Sequence, residues 1–362
     1  MTVSYLAAAA APAAFDAAIG NFFAERRAEV EVLGAGFADT IAELESYVLR
    51  GGKRVRPVFA WLGWIGAGGD QYDPIATSVL SACAGLELLH ASALIHDDII
   101  DASRTRRGHP AAHVTFADRH RAERFSGDPD AFGVNTAILV GDLAHVWADS
   151  MVRASGLPTD AQARLGPVWS AVRSEVLYGQ LLDLTNQAGG DEGIEAALRV
   201  NQYKTASYTV ERPLEFGAAI AGAGTELVAA YRAFGADIGI AFQLRDDLLG
   251  VFGDPAVTGK PSGDDLREGK RTVLLASALE RADERDPAAA RFLRKVIGTD
   301  LSDEEVASVR AVFVDCGAVD HVERLISLRT DRAMAVLDSS DATAPARNEL
   351  AAMAVKATQR AS

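Results

Sequence analysis

The sequence predicts an all-α protein. Ala, Leu, Glu and Arg dominate it, apolar residues recur at three- and four-residue spacing through most of its 362 residues, and strand-like alternation is nearly absent. The helical spacing runs through residues 24–49, 77–100, 136–153, 161–186, 206–221, 226–251 and 272–281, and continues in shorter segments toward the C-terminus. No repeat of solenoid period and no long Pro/Gly/Ser-rich linker divides the chain, so one domain is expected over 23–362. Residues 1–22 are expected to form a mobile N-terminal arm. Their Ala-rich run imitates a signal-peptide core but has no Lys or Arg before it.

Two segments interrupt the helical pattern: 104–132, charged and His-bearing, and 252–271, which reads FGDPAVTGKPSGDDLREGKR. Long irregular stretches inside a compact domain are usually functional or disordered.

With 49% hydrophobic and 24% charged residues the chain can bury a large core. Its 36 Lys and Arg against 50 Asp and Glu give a formal charge of −14. That field repels polyanions and excludes broad binding to nucleic acid or anionic membranes. Any anionic ligand must meet a local basic cluster or a metal. Cys83 and Cys316 sit in apolar helical patterns without metal-ligand or redox spacing and read as reduced, buried thiols. No stretch of membrane-spanning length free of charge and turn signals is found, so no stable membrane insertion is expected.

The residues that carry chemistry fall into acidic and basic groups. Asp97-Asp98-Ile99-Ile100-Asp101 closes a long apolar helical run, and Asp97 and Asp101, four apart, share a helix face. Carboxylates gathered there repel one another unless a hard cation lies between them. Mg²⁺ suits such a place, because it takes one or two carboxylates and completes its shell with water and phosphate oxygens. A second pair, Asp246-Asp247, ends another apolar helical run, with Gln243 within one turn. Two helices of this kind packed side by side would form a metal cage.

The basic complement is GGKRVRP, with Lys53, Arg54 and Arg56 directly after two glycines, then Arg106 and Arg107 in RTRRGHP, Lys204, Lys260 and Lys270. Arg and Lys grip phosphate oxygens, and glycine lets the backbone approach them. His90 lies two turns before Asp97 on roughly the same face. No convincing Ser/His/Asp or Cys/His arrangement accompanies these groups.

With those residues assembled, the sequence resembles the trans-isoprenyl diphosphate synthases, particularly the bacterial farnesyl and geranylgeranyl diphosphate synthases. The resemblance runs from about residue 49 to about residue 272 and rests on GGKRVRP, DDIID with its trailing RTRRG, Gly141-Asp142, GQLLD, Lys204-Thr205 and FQLRDDLLGVFGD. It implies a helical bundle of the isoprenoid synthase type with a central substrate cavity. It also implies a prenyltransferase that condenses isopentenyl diphosphate with dimethylallyl, geranyl or farnesyl diphosphate and releases diphosphate.

The same resemblance implies roles. Lys53, Arg56, His90 and Arg107 would hold isopentenyl diphosphate. Asp97, Asp101 and Asp246 would hold three Mg²⁺ ions, with Mn²⁺ able to substitute, across the allylic diphosphate. Arg106, Lys204, Thr205, Gln243, Lys260 and Lys270 would complete the allylic pocket, while Asp98, Asp247 and Gln180 orient these groups. A homodimer is expected on the same basis, and the protein is expected to be cytoplasmic.

Ionisation, condensation and elimination would follow, with the 252–271 segment excluding water from the cation. One departure stands out: Gly250 occupies the place where many members carry a third Asp. Asp254, Asp264 and Asp265 are nearby carboxylates able to assist through water.

Product length in such enzymes depends on what fills the tunnel below the first aspartate motif. Ser92 and Ala93 lie about 7 and 6 Å down the helix from Asp97 at a rise of ~1.5 Å per residue, and neither blocks a growing chain. Leu88 and Leu89, one turn deeper, are candidates for its floor. Small residues at 92 and 93 favour geranylgeranyl over farnesyl diphosphate. The competing readings are a terpene cyclase, which has no need for the second diphosphate pocket implied by GGKRVRP and Arg107, and a non-catalytic synthase subunit, which would be expected to lose aspartates that this chain keeps.

Overall fold

The computed structural model describes residues 11–253 and 263–359. The described residues are helical apart from loops and one two-stranded ribbon, as the periodicity predicts. The chain packs into two compact units. Unit 1 takes Met1–Arg173, Arg212–Val228 and Asp341–Glu349, and unit 2 takes Ser174–Glu211, Ala229–Ser340 and Leu350–Ser362.

Unit 1 begins with α1 (Ala11–Val30), which buries Phe15, Ile19, Phe22 and Phe23. Of the arm expected over 1–22, residues 1–10 lie outside the described residues. Residues 11–22 are instead helical, because apolar side chains at three- and four-residue spacing give this stretch a face to bury. Phe22 and Phe23 pack edge-on to Trp147, with centroids 6.1 and 5.8 Å away. The run expected over 24–49 is broken at Gly34, whose φ of 98° ends a short 3₁₀ turn before α2 (Ala35–Leu49).

Next come α3 (Val55–Gly66) and α4 (Ala76–Ile100). The stretch expected to be irregular over 104–132 holds the ribbon β1 (Thr105–Arg106) and β2 (His109–Pro110), then α5 (Ala112–Glu123). α6 (Pro129–Arg153) starts on Asp128, whose side chain accepts from the N–H groups of Asp130 and Ala131. α4 packs along α6, and α3 along α9 (Arg212–Ala221).

In unit 2, the latter part of α7 (Thr159–Gly189) is followed by α8 (Ile194–Val200), a π-helix (Asn201–Glu211) and most of α10 (Thr225–Phe252). The one-turn α11 (Asp264–Arg267) and helices α12 (Val273–Arg285), α13 (Pro287–Val296), α14 (Asp303–Asp315) and α15 (Ala318–Asp338) complete most of it. The core joins Leu244, Leu248 and Val251 of α10 to Leu274, Leu275, Val309, Phe313 and Val322. α16 (Ala344–Thr358) has residues in both units.

By length and composition alone, α4, α6 and α10 are each long and apolar enough to cross a membrane. All three carry charged residues, which is why no membrane span is expected from a stretch free of charge and turn signals. The apolar window of α4 is 72% buried inside the protein, and that of α6 only 39%.

Candidate active site

In unit 1 the last turn of α4 carries Asp97 and Asp98, and Asp101 caps it, its N–H donating to the Asp97 carbonyl while the N–H of Ala102 donates to that of Ile99. A helix C-terminus is the negative end of its dipole, so three carboxylates there are held against the local field and call for cations. Asp98 is fully buried. Arg106 Nε donates to its Oδ1 at 2.7 Å, Nη2 donates to the same oxygen, and Nη2 lies 3.4 Å from Asp97 Oδ2. The Tyr47 hydroxyl lies 3.5 Å from the other Asp98 oxygen.

Burial raises the Asp98 carboxyl above its ordinary range, and Arg106 opposes the shift. Burial would also lower the pKa of Arg106, but the hydrogen bonds and charge of Asp98 outweigh it and leave the guanidinium more firmly protonated. Tyr47 is raised too, by burial and then by Asp98. Asp98 thus anchors Arg106, and Asp97 and Asp101 remain partly exposed on the adjoining faces.

The ribbon fixes both arginines. Arg107 and Gly108 are the central residues of its two-residue turn, with φ of 53° and 76°, as the turn that matches strand twist requires. Arg107 Nη1 donates to Gly51 O at 3.2 Å and Nη2 to His90 Nε2 at 3.3 Å. Burial, then the charges of Arg56, Arg107, Arg106 and Arg54, push His90 well below its usual pKa. Its imidazole is therefore neutral, and Nε2 accepts from Arg107.

Gly52 has φ of 120°, and a Cβ there would stand 3.0 Å from the Nη1 atoms of both Arg107 and Arg54. Glycine is thus required both for the backbone turn and for the approach of the guanidinium groups. Arg54 is the structural member of GGKRVRP: it is 2% exposed and donates to Asp16 at 2.6 Å and Glu87 at 3.1 Å. Lys53 is exposed and Arg56 half-buried.

A cleft of about 290 Å³ is lined by Tyr47, Arg50, Leu94, Arg106, Arg107, His109 and Pro110. Sequence reasoning missed Tyr47, Arg50 and His109, although Arg50 directly precedes the two glycines and His109 directly follows the turn. Deeper on α4, Ser92, Leu88 and Leu89 are buried, and Ala93 is half-buried.

In unit 2 the π-helix carries Lys204 and Thr205. A π-helix is wide, and this one lies against glycines: a Cβ at Gly179 of α7 would overlap the Lys204 backbone, and one at Gly239 of α10 would overlap Ala206. Lys204 Nζ pairs with Asp183 Oδ2 at 2.6 Å. Thr205 Oγ1 donates to Gln243 Oε1 and Gln243 Nε2 to Asp247 Oδ1, both at 2.7 Å.

Asp247 is 4% exposed, and its carboxyl is pushed up to about 8. Burial is the largest cause; the Gln243 hydrogen bond opposes it, the charges of Asp265 and Asp246 add to it, and that of Lys270 opposes it. Its Oδ2 has no hydrogen-bond partner. Lys270 Nζ pairs with Glu268 at 2.7 Å and Asp265 at 3.5 Å. Asp246, Gln243 and Gln180 are half-buried, and Lys260 and Asp254 lie outside the described residues. Sequence reasoning overlooked Asp183 and Glu268 as partners of the two lysines.

Asp97, Asp101 and Asp246 are oxygen donors, and a buried carboxylate oxygen stands unpaired beside Asp246; both facts fit a hard divalent cation. Among the described residues no three His, Cys, Asp or Glu side chains gather closely enough to hold a metal ion by themselves. Within each unit such carboxylates suit an ion which completes its shell with water and diphosphate oxygens.

Residues 38–313 match the polyprenyl synthetase family. The chain belongs to this family. It is a trans-prenyltransferase of all-α, isoprenoid synthase fold, and the family uses divalent metal ions. Among solved structures, the geranylgeranyl pyrophosphate synthase of Corynebacterium glutamicum, complexed with isoprenyl diphosphate and magnesium, is 47% identical. The match covers 98% of this chain and 99% of that one, with a TM-score of 0.94. The geranylfarnesyl diphosphate synthase of Aeropyrum pernix is 33% identical over 83% of this chain and 87% of its own length. A short chain isoprenyl diphosphate synthase of Methanothermobacter thermautotrophicus is also 33% identical, over 82% of this chain and 84% of its own length.

Proposed function

We propose that this enzyme extends allylic diphosphates with isopentenyl diphosphate and releases geranylgeranyl diphosphate as its main product. The observation that carries the product assignment is the pair of small residues, Ser92 and Ala93, within two turns below Asp97. The similarity to a Corynebacterium geranylgeranyl pyrophosphate synthase supports it.

In this reading Asp97, Asp101 and Asp246 hold three divalent cations, Mg²⁺ or in its place Mn²⁺. The cations, when bound, offset the charge of the allylic diphosphate and ease its departure. Arg106, Lys204, Thr205, Gln243, Lys260 and Lys270 hold the same diphosphate from the protein side. Asp98 fixes Arg106, Asp247 fixes Gln243 and through it Thr205, and Gln180 helps to orient the pocket. Lys53, Arg56, His90 and Arg107 bind isopentenyl diphosphate without metal. Preorganised positive charge stabilises the leaving group. Loss of a proton to the departed diphosphate then restores an allylic product, so no side-chain nucleophile is required.

The enzyme is proposed to act as a cytoplasmic homodimer. Ile138, Leu139 and Val146 form an exposed apolar stripe on α6, which a second copy would cover. Light scattering of the purified protein tests this, and a monomer at micromolar concentration would overturn it.

The function is tested by incubation with isopentenyl diphosphate and Mg²⁺ plus dimethylallyl, geranyl or farnesyl diphosphate, followed by chromatography of the dephosphorylated alcohols. Geranylgeraniol from all three starters is expected. Arrest at farnesol would refute the product assignment. Absence of elongation would refute the reaction itself, and a hydrocarbon formed without isopentenyl diphosphate would identify a cyclase.

A further inference from the structure

We infer that Asp16, on α1, is a positioning residue for the isopentenyl diphosphate site: through Arg54 it holds the glycine loop that carries Lys53 and Arg56. This rests on the assignment of Lys53, Arg56, His90 and Arg107 to that diphosphate given above. Asp16 lies outside residues 38–313, the span matched to the family, and the reaction as proposed makes no other use of α1.

The loop between α2 and α3 has a backbone that needs outside support. Gly51, Gly52 and Arg54 have φ of 80°, 120° and 48°. Glycine reaches such angles freely, but an arginine in the left-handed region is strained and stays there only when its surroundings fix it. Arg54 is also the residue from which α3 starts, its carbonyl accepting from the Val58 N–H at 3.0 Å. Lys53 precedes it and Arg56 follows in the first turn, so the conformation at Arg54 sets where both cations begin.

Two carboxylates from other helices fix Arg54. Its side chain is 1% exposed; Nη1 donates to Glu87 Oε2 of α4 at 3.1 Å, and Nε donates to Asp16 Oδ1 of α1 at 2.6 Å. Glu87, 4% exposed, balances the buried charge, and Asp16, 43% exposed, reaches in from the surface and fixes the direction of the guanidinium fork. Asp16 is itself held, because Phe15 and Ile19 beside it on α1 are fully buried. The fork in turn meets the loop: a Cβ on Gly52 would stand 3.0 Å from Arg54 Nη1 and from Arg107 Nη1. Arg107 also donates to Gly51 O and His90 Nε2. Arg54 and Arg107 thus close on the same glycine, and a shift of one guanidinium is felt by the loop and by the other. Without Asp16 a buried N–H loses its acceptor, and Arg54 keeps Glu87 but loses its second hold.

Steady-state kinetics with geranyl diphosphate and Mg²⁺ test this. Asp16→Ala should raise the KM for isopentenyl diphosphate about tenfold, or ~1.4 kcal/mol. The KM for geranyl diphosphate and kcat should stay within about twofold, since only binding at one site is lost. Asp16→Glu, which returns a carboxylate to the same helix face, should recover to within about threefold of the parent. Ile19→Val trims the same helix without altering the partners of Arg54; it should lower the melting temperature and leave both KM values at the parent's.

A parent-like KM for isopentenyl diphosphate in Asp16→Ala, no recovery in Asp16→Glu, an equal rise in both KM values, or the same rise in Ile19→Val would each overturn the inference. Arg107→Ala distinguishes this from a failure of the site assignment. If it raises the KM for isopentenyl diphosphate and Asp16→Ala does not, only the positioning role falls. If Arg107→Ala leaves that KM unchanged, the assignment of the site falls and the inference with it.

Discussion

Replacing Arg106 by Leu removes the cation that faces a fully buried carboxylate. Asp98 has no exposed surface, and the Arg106 side chain is 15% exposed, so solvent screens the pair little. Breaking such a pair from one side costs about 3–5 kcal/mol when the remaining group stays charged. Asp98 has an escape, because burial already raises its pKa and without Arg106 it can take up a proton.

The sign follows from linkage: a carboxyl whose folded pKa lies above its unfolded value binds more protons when folded. The variant therefore loses stability relative to the parent as pH rises above about 4, by at most ~1.4 kcal/mol per pH unit. At pH 4.5 the two proteins should unfold almost together. At pH 8 the variant should be weaker by about 3 kcal/mol, a fall in Tm on the order of 4 °C for a chain of 362 residues. Circular dichroism melts at the two pH values measure this, with Asp98→Asn/Arg106→Leu as the partner variant that buries no charge and recovers part of the loss. A deficit that is equal at both pH values, or under 1 kcal/mol at pH 8, would refute the assignment of Asp98 as the buried anchor of Arg106.

His90 gives a second pH effect of opposite sense. Its folded pKa lies below its unfolded value of ~6.5, so the unfolded chain binds the extra proton and stability falls as pH drops below about 6.5. A diphosphate that offsets Arg56 and Arg107 should raise that pKa, so calorimetry of isopentenyl diphosphate near pH 6 in buffers of different ionisation heat should show proton uptake that His90→Gln loses. Ser92→Phe should shorten the main product, and an unchanged product would place the tunnel elsewhere. Gly→Ala inside a helix ordinarily stabilises by ~1 kcal/mol. Gly20→Ala in α1, where a Cβ meets nothing within 4 Å, should follow that rule, while Gly239→Ala, whose Cβ would overlap Ala206 under the π-helix, should lower Tm instead.

The helical class and both aspartate motifs were legible because they depend on local spacing: α4 and α10 are long apolar runs, and four-residue separation puts Asp97 and Asp101 on one face. The π-helix was not legible. Helical spacing was legible from residue 206 onward, but that spacing does not tell a π-helix from an α-helix, and the trace of the wider turn is indirect, in Gly179 and Gly239 on the two helices it touches. The ribbon was hidden in charge, although Arg107-Gly108 has the form of a tight turn. α5 was passed over because Ala112–Glu123 is largely polar. Arg54 and Arg56 look alike in sequence. What separates them is tertiary, since the partners of Arg54, Asp16 and Glu87, lie 38 and 33 residues away.

The same tertiary pairing explains how a chain of net charge −14 can receive a diphosphate. Cations assigned to the substrate have protein partners within their own unit: Arg106 has Asp98 and Asp97, Arg107 has His90 and the Gly51 carbonyl, Lys204 has Asp183, and Lys270 has Glu268 and Asp265. These partners keep the cations aimed without neutralising them equally. Asp98 is buried and holds Arg106 in place whatever else binds. Arg107 faces a neutral imidazole and a carbonyl, so its charge is uncancelled. Lys204 and Lys270 face half-buried carboxylates, and a phosphate can compete for them while a divalent cation takes up the negative charge they leave behind. Metal and diphosphate should therefore bind with positive coupling, each weaker alone, because either one by itself breaks ion pairs that only the two together replace.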